Sequence, residues 1–263
     1  MRSFRLRNSG VVVLVVLGLT AGWAQQTSAA TFRVSPVQVV FDGARSSDLL
    51  TITNQSSEEL RFQITAFTWD QKPSGEMELT PTNEIVFFPA LLSVAPGQER
   101  KVRVGLSGAQ RGNVEKTYRL FFEELRPIES AQDGKAQIRV LTKMGVPVFL
   151  EPTKVSLKSA LENLRVTDGK LMFDVGNSGT VHYMLQGASA TGFGADGKQV
   201  FQHQFEGWYV LAGGKRSYET EIPATDCSHI QKIVVTAQTG VPGTSDFSEL
   251  KEQIPQAAIR CGS

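Results

Sequence analysis

The chain has 263 residues, with 27 Lys and Arg against 26 Asp and Glu, three His and two Cys. So even a balance excludes a nucleic-acid binder, which needs a concentrated positive face. The length allows one large domain or two of ordinary size.

Residues 1–30 read as a secretory signal peptide rather than as part of the fold. Arg2, Arg5 and Arg7 start it, Val11 to Leu19 is apolar apart from Gly18, and Ser28-Ala29-Ala30 suits cleavage before Thr31. The apolar run is too short to span a bilayer; the competing reading is an uncleaved N-terminal anchor. No later segment is apolar enough to insert into a membrane. The leader holds three of the 27 cations and none of the anions, so the mature chain carries 24 against 26, a net of −2. In an exported chain Cys227 and Cys261 form a candidate disulfide pair, though their separation leaves two free thiols as an alternative.

From Thr31 the pattern is strands and turns. Leu50 to Thr53 is a short strand, Asn54 to Ser57 a turn, and Leu60 to Trp69 alternates with Leu60, Phe62, Ile64 and Ala66 on one side. Lys72-Pro73-Ser74-Gly75 and Ala95-Pro96-Gly97-Gln98 are turns, Val102, Val104 and Leu106 alternate, and Tyr118, Leu120 and Phe122 share a face. The pattern resets at Glu151-Pro152, after which strands are expected at Leu171–Val175, Val181–Leu185, Gly207–Leu211, Ser217–Ile222 and Ile230–Ala237. Period-two strands with turn signals about every ten residues indicate antiparallel sandwiches. The class is all-β, with one domain over 31–151 and a second over 152–263. Ser248 to Ile259 is expected to form a short helix broken at Pro255, and no tandem repeat of usable period is visible.

Catalytic groups are scarce. His182, His203 and His229 have no metal-ligand spacing, and no serine sits in a Gly-x-Ser-x-Gly elbow. Glu123 and Glu124 are neighbours on a strand and point to opposite faces. Gly192-Phe193-Gly194-Ala195-Asp196-Gly197 matches a dinucleotide motif by letters alone. A strand-like stretch follows where the motif requires a helix, so it reads as a hairpin turn. No cofactor, no metal and no enzymatic activity are expected.

The stretch Gln137 to Pro152 alternates throughout: Ile138, Val140, Thr142, Met144, Val146, Val148 and Leu150 make one row. One face is expected to be covered and the other open. Pro147 cannot donate to a ladder, which places it at a sheet edge or a bulge. A long apolar edge is a hazard unless pairing with another chain is its task; otherwise its apolar face is ordinary sandwich core.

Five pieces in order carry a resemblance. They are Val34-Ser35-Pro36-Val37-Gln38-Val39-Val40-Phe41, Val94-Ala95-Pro96-Gly97-Gln98, and Tyr118 to Leu125 with the alternating stretch after it. In the second half come Gly207-Trp208-Tyr209-Val210-Leu211-Ala212-Gly213-Gly214 and Ile222-Pro223-Ala224-Thr225-Asp226-Cys227. The chain resembles the periplasmic pilus-assembly chaperones of the chaperone–usher pathway, and the archaic branch more than the branch of P and type 1 pili. The resemblance implies two immunoglobulin-like sandwiches set at an angle around a cleft. It also implies a periplasmic location, pilus subunits as partners and delivery to an outer-membrane usher. The last strand of the first domain would be lent to a subunit (donor-strand complementation, a mode of β-augmentation), through Ala136, Ile138, Val140 and Thr142. An immunoglobulin-like structural or adhesive module, such as a pilus subunit, is the alternative; the two domains and the early first strand weigh against it.

One departure matters. The family anchors the subunit's C-terminal carboxylate with an arginine and a lysine, and Gln38 and Pro147 stand at those positions here. A hairpin register pairing Leu125 with Gln137 would bring Arg119 opposite Lys143, making these two cations the candidate carboxylate anchor. Separate salt bridges, to Glu123 or Glu151, are the competing arrangement.

Overall fold

The computed structural model describes residues 31–126, 140–241 and 247–262; the expected leader, residues 1–30, and the positions of Ala136 and Ile138 lie outside them. Two β-sandwiches follow one another along the chain. In the first, β1 (Phe32–Ser35), β3 (Ser47–Asn54), β8 (Glu99–Leu106) and β6 (Ile85–Phe88) form one sheet in the order β1-β3-β8-β6. The facing sheet runs β2 (Val39–Phe41), β10 (Lys143–Leu150), β9 (Lys116–Glu124), β4 (Leu60–Gln71), β5 (Met77–Pro81), with β7 (Leu91–Val94) also paired to β4. The second sandwich packs the sheet β11 (Ser159–Thr167), β12 (Lys170–Asn177), β16 (Lys215–Glu221) on a sheet ordered β14 (Gln199–Glu206), β13 (Tyr183–Phe193), β17 (Lys232–Gly240), β18 (Phe247–Pro255). The two-residue β15 (Tyr209–Val210) adds to β13.

Alternation builds both cores. Leu60, Phe62, Ile64 and Ala66 of β4 point inward against Leu50, Ile52, Val102 and Val104 of the other sheet. Leu171, Phe173 and Val175 of β12 meet Ala188, Ala190, Ile233 and Val235 in the second. The glycine-rich stretch at Gly192 is the turn between β13 and β14, closed by Gly194 N–H to the Lys198 carbonyl at 2.9 Å. The expected helix near the C-terminus is a strand: Phe247 to Pro255 pairs along β17, and only Gln256–Ala258 coil into a 3-10 turn. The charged residues of that segment face outward from a one-sided edge, and such a pattern does not separate strand from helix.

A resemblance between the halves, invisible as a sequence repeat, appears in their polar interior. Asn54, at the end of β3, is fully buried and donates through Nδ2 to the carbonyls of Glu58 and Val94 at 2.7 and 2.8 Å. Its Oδ1 accepts the Ser56 N–H. Asn177, at the end of β12, donates to Val181 and Val210, both at 2.9 Å, and accepts from Gly179. Each clamp holds a turn containing a glycine with left-handed φ, Gly97 at 68° and Gly213 at 72°, a conformation that costs other residues strain.

Asp174 ties the outer face of the three-stranded sheet. Burial alone would raise its carboxyl, but hydrogen bonds from Lys215 (2.7 Å), Ser217 (2.6 Å) and Asn163 (2.7 Å) outweigh this and hold it below the usual carboxylate value. A depressed folded-state value stabilises above the unfolded value and is lost as pH falls through the folded one. Asp174→Asn is therefore expected to be less stable than the parent at neutral pH, with the gap closing from about pH 5 towards about pH 2. Urea unfolding across that range measures it.

Cys227, on the single-turn helix α1 (Ala224–Cys227), is bonded to Cys261 with 5.9 Å between their Cα atoms. The bond draws the end of the chain back to a position where Ile259 bridges Val166 of β11. Cys261→Ser is expected to lower stability by about 2–4 kcal/mol, read as a fall in thermal midpoint that reductant reproduces in the parent.

Candidate functional site

β10 has two neighbours for only part of its length. It pairs antiparallel with β9 from Lys143 to Leu150, but parallel with β2 only from Val148 to Leu150. From Lys143 to Pro147 no described residue pairs on the β2 side, and Pro147 sits at the last position before that second ladder begins. This is where a residue without an N–H is tolerated. Val146, Val148 and Leu150 fill the first sandwich's core, with Met144 packed at its margin. Beyond Met144 every second residue in sequence is Thr142 and then Val140, which is 65 % exposed beside the exposed Leu141.

Two features of the expected strand are corrected. β10 begins at Lys143, with Val140 to Thr142 preceding it as irregular chain, although the Glu124 N–H still bonds the Thr142 carbonyl at 2.9 Å. Its other face is not open along its whole length, because Pro147 and Phe149 are buried and Phe149 lies under the second sandwich.

The register corrects the expected cation pair. Arg119 lies opposite Pro147 and Lys143 opposite Glu123, four residues from the expected pairing. Lys143 Nζ bonds Glu123 at 3.2 Å, both side chains half-exposed, and lies 4.8 Å from the Phe121 ring centre. Arg119 and Lys143 share a face of the sheet, but four residues of strand, about 13 Å, separate their positions along β10. Phe121 intervenes, its ring against Gly145 where a Cβ would come within 2.9 Å of it.

Arg119 instead enters the cleft between the sandwiches. It is 7 % exposed, and its guanidinium lies 3.9 Å from the ring centre of Trp69 on β4. Trp208 and Tyr209 of the second sandwich cover it at 5.3 and 5.5 Å. The rings also meet one another: Trp69 is 5.6 Å from Trp208 and 5.3 Å from Tyr209. Gly207 permits this arrangement, since a Cβ there would fall 1.9 Å from the Leu185 carbonyl oxygen of β13. Burial pushes the Arg119 guanidinium below its usual value and the Tyr209 hydroxyl above its own. Nη1 points at the Gly145 carbonyl at 3.5 Å, while Nε and Nη2 are buried without a partner.

A second contact between the sandwiches lies beside this cage. Glu115 and His182 are both buried, and one Glu115 carboxylate oxygen accepts the His182 backbone N–H at 2.9 Å and meets its Nδ1 at 2.7 Å. The imidazole stacks on Phe149 of β10, ring centres 3.7 Å apart. The Glu115 N–H adds a bond to the Thr180 carbonyl at 2.9 Å. At the tip of the β4–β5 hairpin, the Pro73 carbonyl accepts the Ser217 N–H of β16 at 2.7 Å.

Residues 31–156 match the family described as pili and flagellar-assembly chaperone, PapD N-terminal domain. The first sandwich belongs to that family. No curated protein sequence matches the chain. Among solved structures, a chain of the CsuC–CsuE chaperone–tip adhesion subunit complex, from the archaic Csu pili of Acinetobacter baumannii, is 16 % identical. It matches with a TM-score of 0.61, covering 84 % of this chain and 98 % of that one. The Escherichia coli chaperone DraB is 18 % identical, TM-score 0.55, over 84 % of this chain and 96 % of its own. A chain from the Salmonella enterica SafA pilin–SafB chaperone complex is 13 % identical, TM-score 0.54, over 85 % and 97 %. At such identities these likenesses establish the two-sandwich fold.

The aromatic cage and the Glu115–His182 pair were missed in the sequence. In the sequence Trp208 and Tyr209 stand out only as part of a resembling stretch, and His182 only as a strand residue. The available signal was Arg119 itself, an arginine inside the otherwise apolar run from Tyr118 to Phe122.

Removing the Glu115 carboxylate would strand a buried N–H and a ring nitrogen. Glu115→Ala is expected to cost about 1.5–3 kcal/mol. In a double-mutant cycle with His182→Ala, the two losses are expected to be coupled by roughly 1 kcal/mol or more, measured by denaturant unfolding.

Proposed function

We propose that this protein is a periplasmic chaperone that binds pilus subunits by donor-strand complementation and passes them to an outer-membrane usher. The observation that carries this reading is the one-sided ladder of β10. Thr142 and Val140, every second residue before Met144, precede the ladder as irregular chain with Val140 exposed, and would continue the core row once extended. A β-sandwich lacking one strand could pair with the free edge and receive that row, each fully buried Val or Ile contributing about 1.5–3 kcal/mol. Ala136 and Ile138, outside the described residues, extend the row in sequence.

In this reading the residues divide near Pro152 into a strand-lending domain, 31–151, and a second domain, 152–263, and the work is binding rather than catalysis. Among the described residues no group of three metal-ligating side chains occurs, and no helix is long and apolar enough to cross a membrane. Arg119 serves as the contact for a subunit's terminal carboxylate without help from Lys143, which is engaged with Glu123. The segments Gly207 to Gly214 and Ile222 to Cys227 favour the archaic branch. The structural-module alternative has no support from the fold, in which the N-terminal strand β1 is already paired with β3.

Val140→Asp tests the lent row. Because Val140 is largely exposed, the variant is expected to unfold at the parent's temperature. Its capture of co-expressed pilus subunits, measured by periplasmic co-purification, is expected to fall by roughly ten- to a hundredfold, the equivalent of one buried aliphatic side chain. Undiminished capture would sink the assignment of the row.

A further inference from the structure

The unpartnered donors of Arg119 are not arbitrary. Nε and Nη2 form one edge of the guanidinium plane, the edge that receives a carboxylate through two parallel hydrogen bonds. Both atoms are out of contact with solvent and with any acceptor, so a donor pair suited to a carboxylate exists where no carboxylate can enter. The cover is divided between the sandwiches. Trp69 stacks from the first, while Trp208 and Tyr209 come from the short segment that leads into and forms β15 of the second. Arg119 has no ion-pair partner among the described residues, and Tyr209 is the titratable group it faces.

We propose that the carboxylate site belongs to both sandwiches and is shut in the free chain. A terminal carboxylate carried next to an apolar side chain reaches Arg119 Nε and Nη2 only when Trp208 and Tyr209 lift away from Trp69. The ligand's apolar group then takes the place they leave. This rests on the reading of Arg119 as the subunit's anchor and adds to it a requirement that the second sandwich move. The chain is suited to such a movement. Apart from the cage, the sandwiches are joined by the connection near Pro152 and by local contacts such as Glu115–His182 and Ser217–Pro73. A buried cation without a counter-charge is costly, and the bidentate pair that replaces the cover removes that cost. Opening is thereby linked to arrival of the anion.

Trp23 lies in the leader, so Trp69 and Trp208 are the only tryptophans of the mature chain, and both belong to the cage. With 5-fluorotryptophan incorporated, the free protein is expected to give two fluorine resonances. The probes are N-acetyl-alanyl-alanyl-phenylalanine with a free carboxylate and the same peptide as its C-terminal amide. The acid is expected to move the Trp208 resonance towards that of solvated fluorotryptophan. The amide is expected to need at least about tenfold more peptide, and Arg119→Met to abolish the difference. Trp208→Ala, which removes part of the cover, is expected to bind the acid several-fold more tightly by calorimetry, as a ligand gains when its competent state is already populated. Arg119-dependent binding of the acid with both resonances unmoved, and no tighter binding by Trp208→Ala, would overturn the shut site while leaving the anchor standing. Equal binding of acid and amide, or none by either, would overturn the anchor and the shut site with it.

Discussion

The pairing of β9 with β10 decides where every side chain of the cleft lands. With Arg119 opposite Pro147, the arginine stands at the end of the sheet that meets the second sandwich, beside a residue that offers it no charge. Two positions further, Phe149 reaches across to stack on His182. In the other direction, Lys143 arrives opposite Glu123 and is neutralised there. A shift of two residues would reverse none of the faces, because strand side chains alternate with period two. It would nevertheless move each cation to a different neighbour, and the cage would lose its centre.

Within that register the cleft holds an electrostatic imbalance. Ring faces are favourable ground for a guanidinium, and Trp69 at 3.9 Å supplies the nearest one. Quadrupoles do not replace the hydration of the unpartnered Nε–Nη2 edge, however. Two carboxylates show the contrast: Asp174 collects three donors and Glu115 receives two bonds from one residue. The Arg119 guanidinium has no such complement at Nε and Nη2, as suits a place that receives an anion.

Much of the architecture was legible in the sequence because alternation reports burial directly. β4, β8, β12 and β17 overlap the stretches expected at Leu60–Trp69, Val102–Leu106, Leu171–Val175 and Ile230–Ala237, and Pro147 stands at the end of a free edge as its missing N–H requires. The register of β10 was not legible. The connection between Glu124 and Lys143 is too long for turn chemistry to fix an offset, so the Arg119–Lys143 pairing rested on an assumed starting pair. Nor could local pattern reveal the cage, since Trp69 and Arg119 meet through the register of β4 on β9 and Trp208 reaches them only across the two sandwiches. The C-terminal strand reads equally well as a helix because its alternating Glu249, Lys251 and Gln253 lie on an exposed edge, where neither period carries a hydrophobic signal.

The matched asparagine clamps carry a mechanical consequence. Asn54 and Asn177 each lock a turn to the end of a strand inside one sandwich, and neither reaches across to the other half. Each clamp therefore secures its own half and adds nothing to the joint between them. A load placed on the cleft is borne by the contacts that cross it, the aromatic cage and the Glu115–His182 pair, rather than by either clamp.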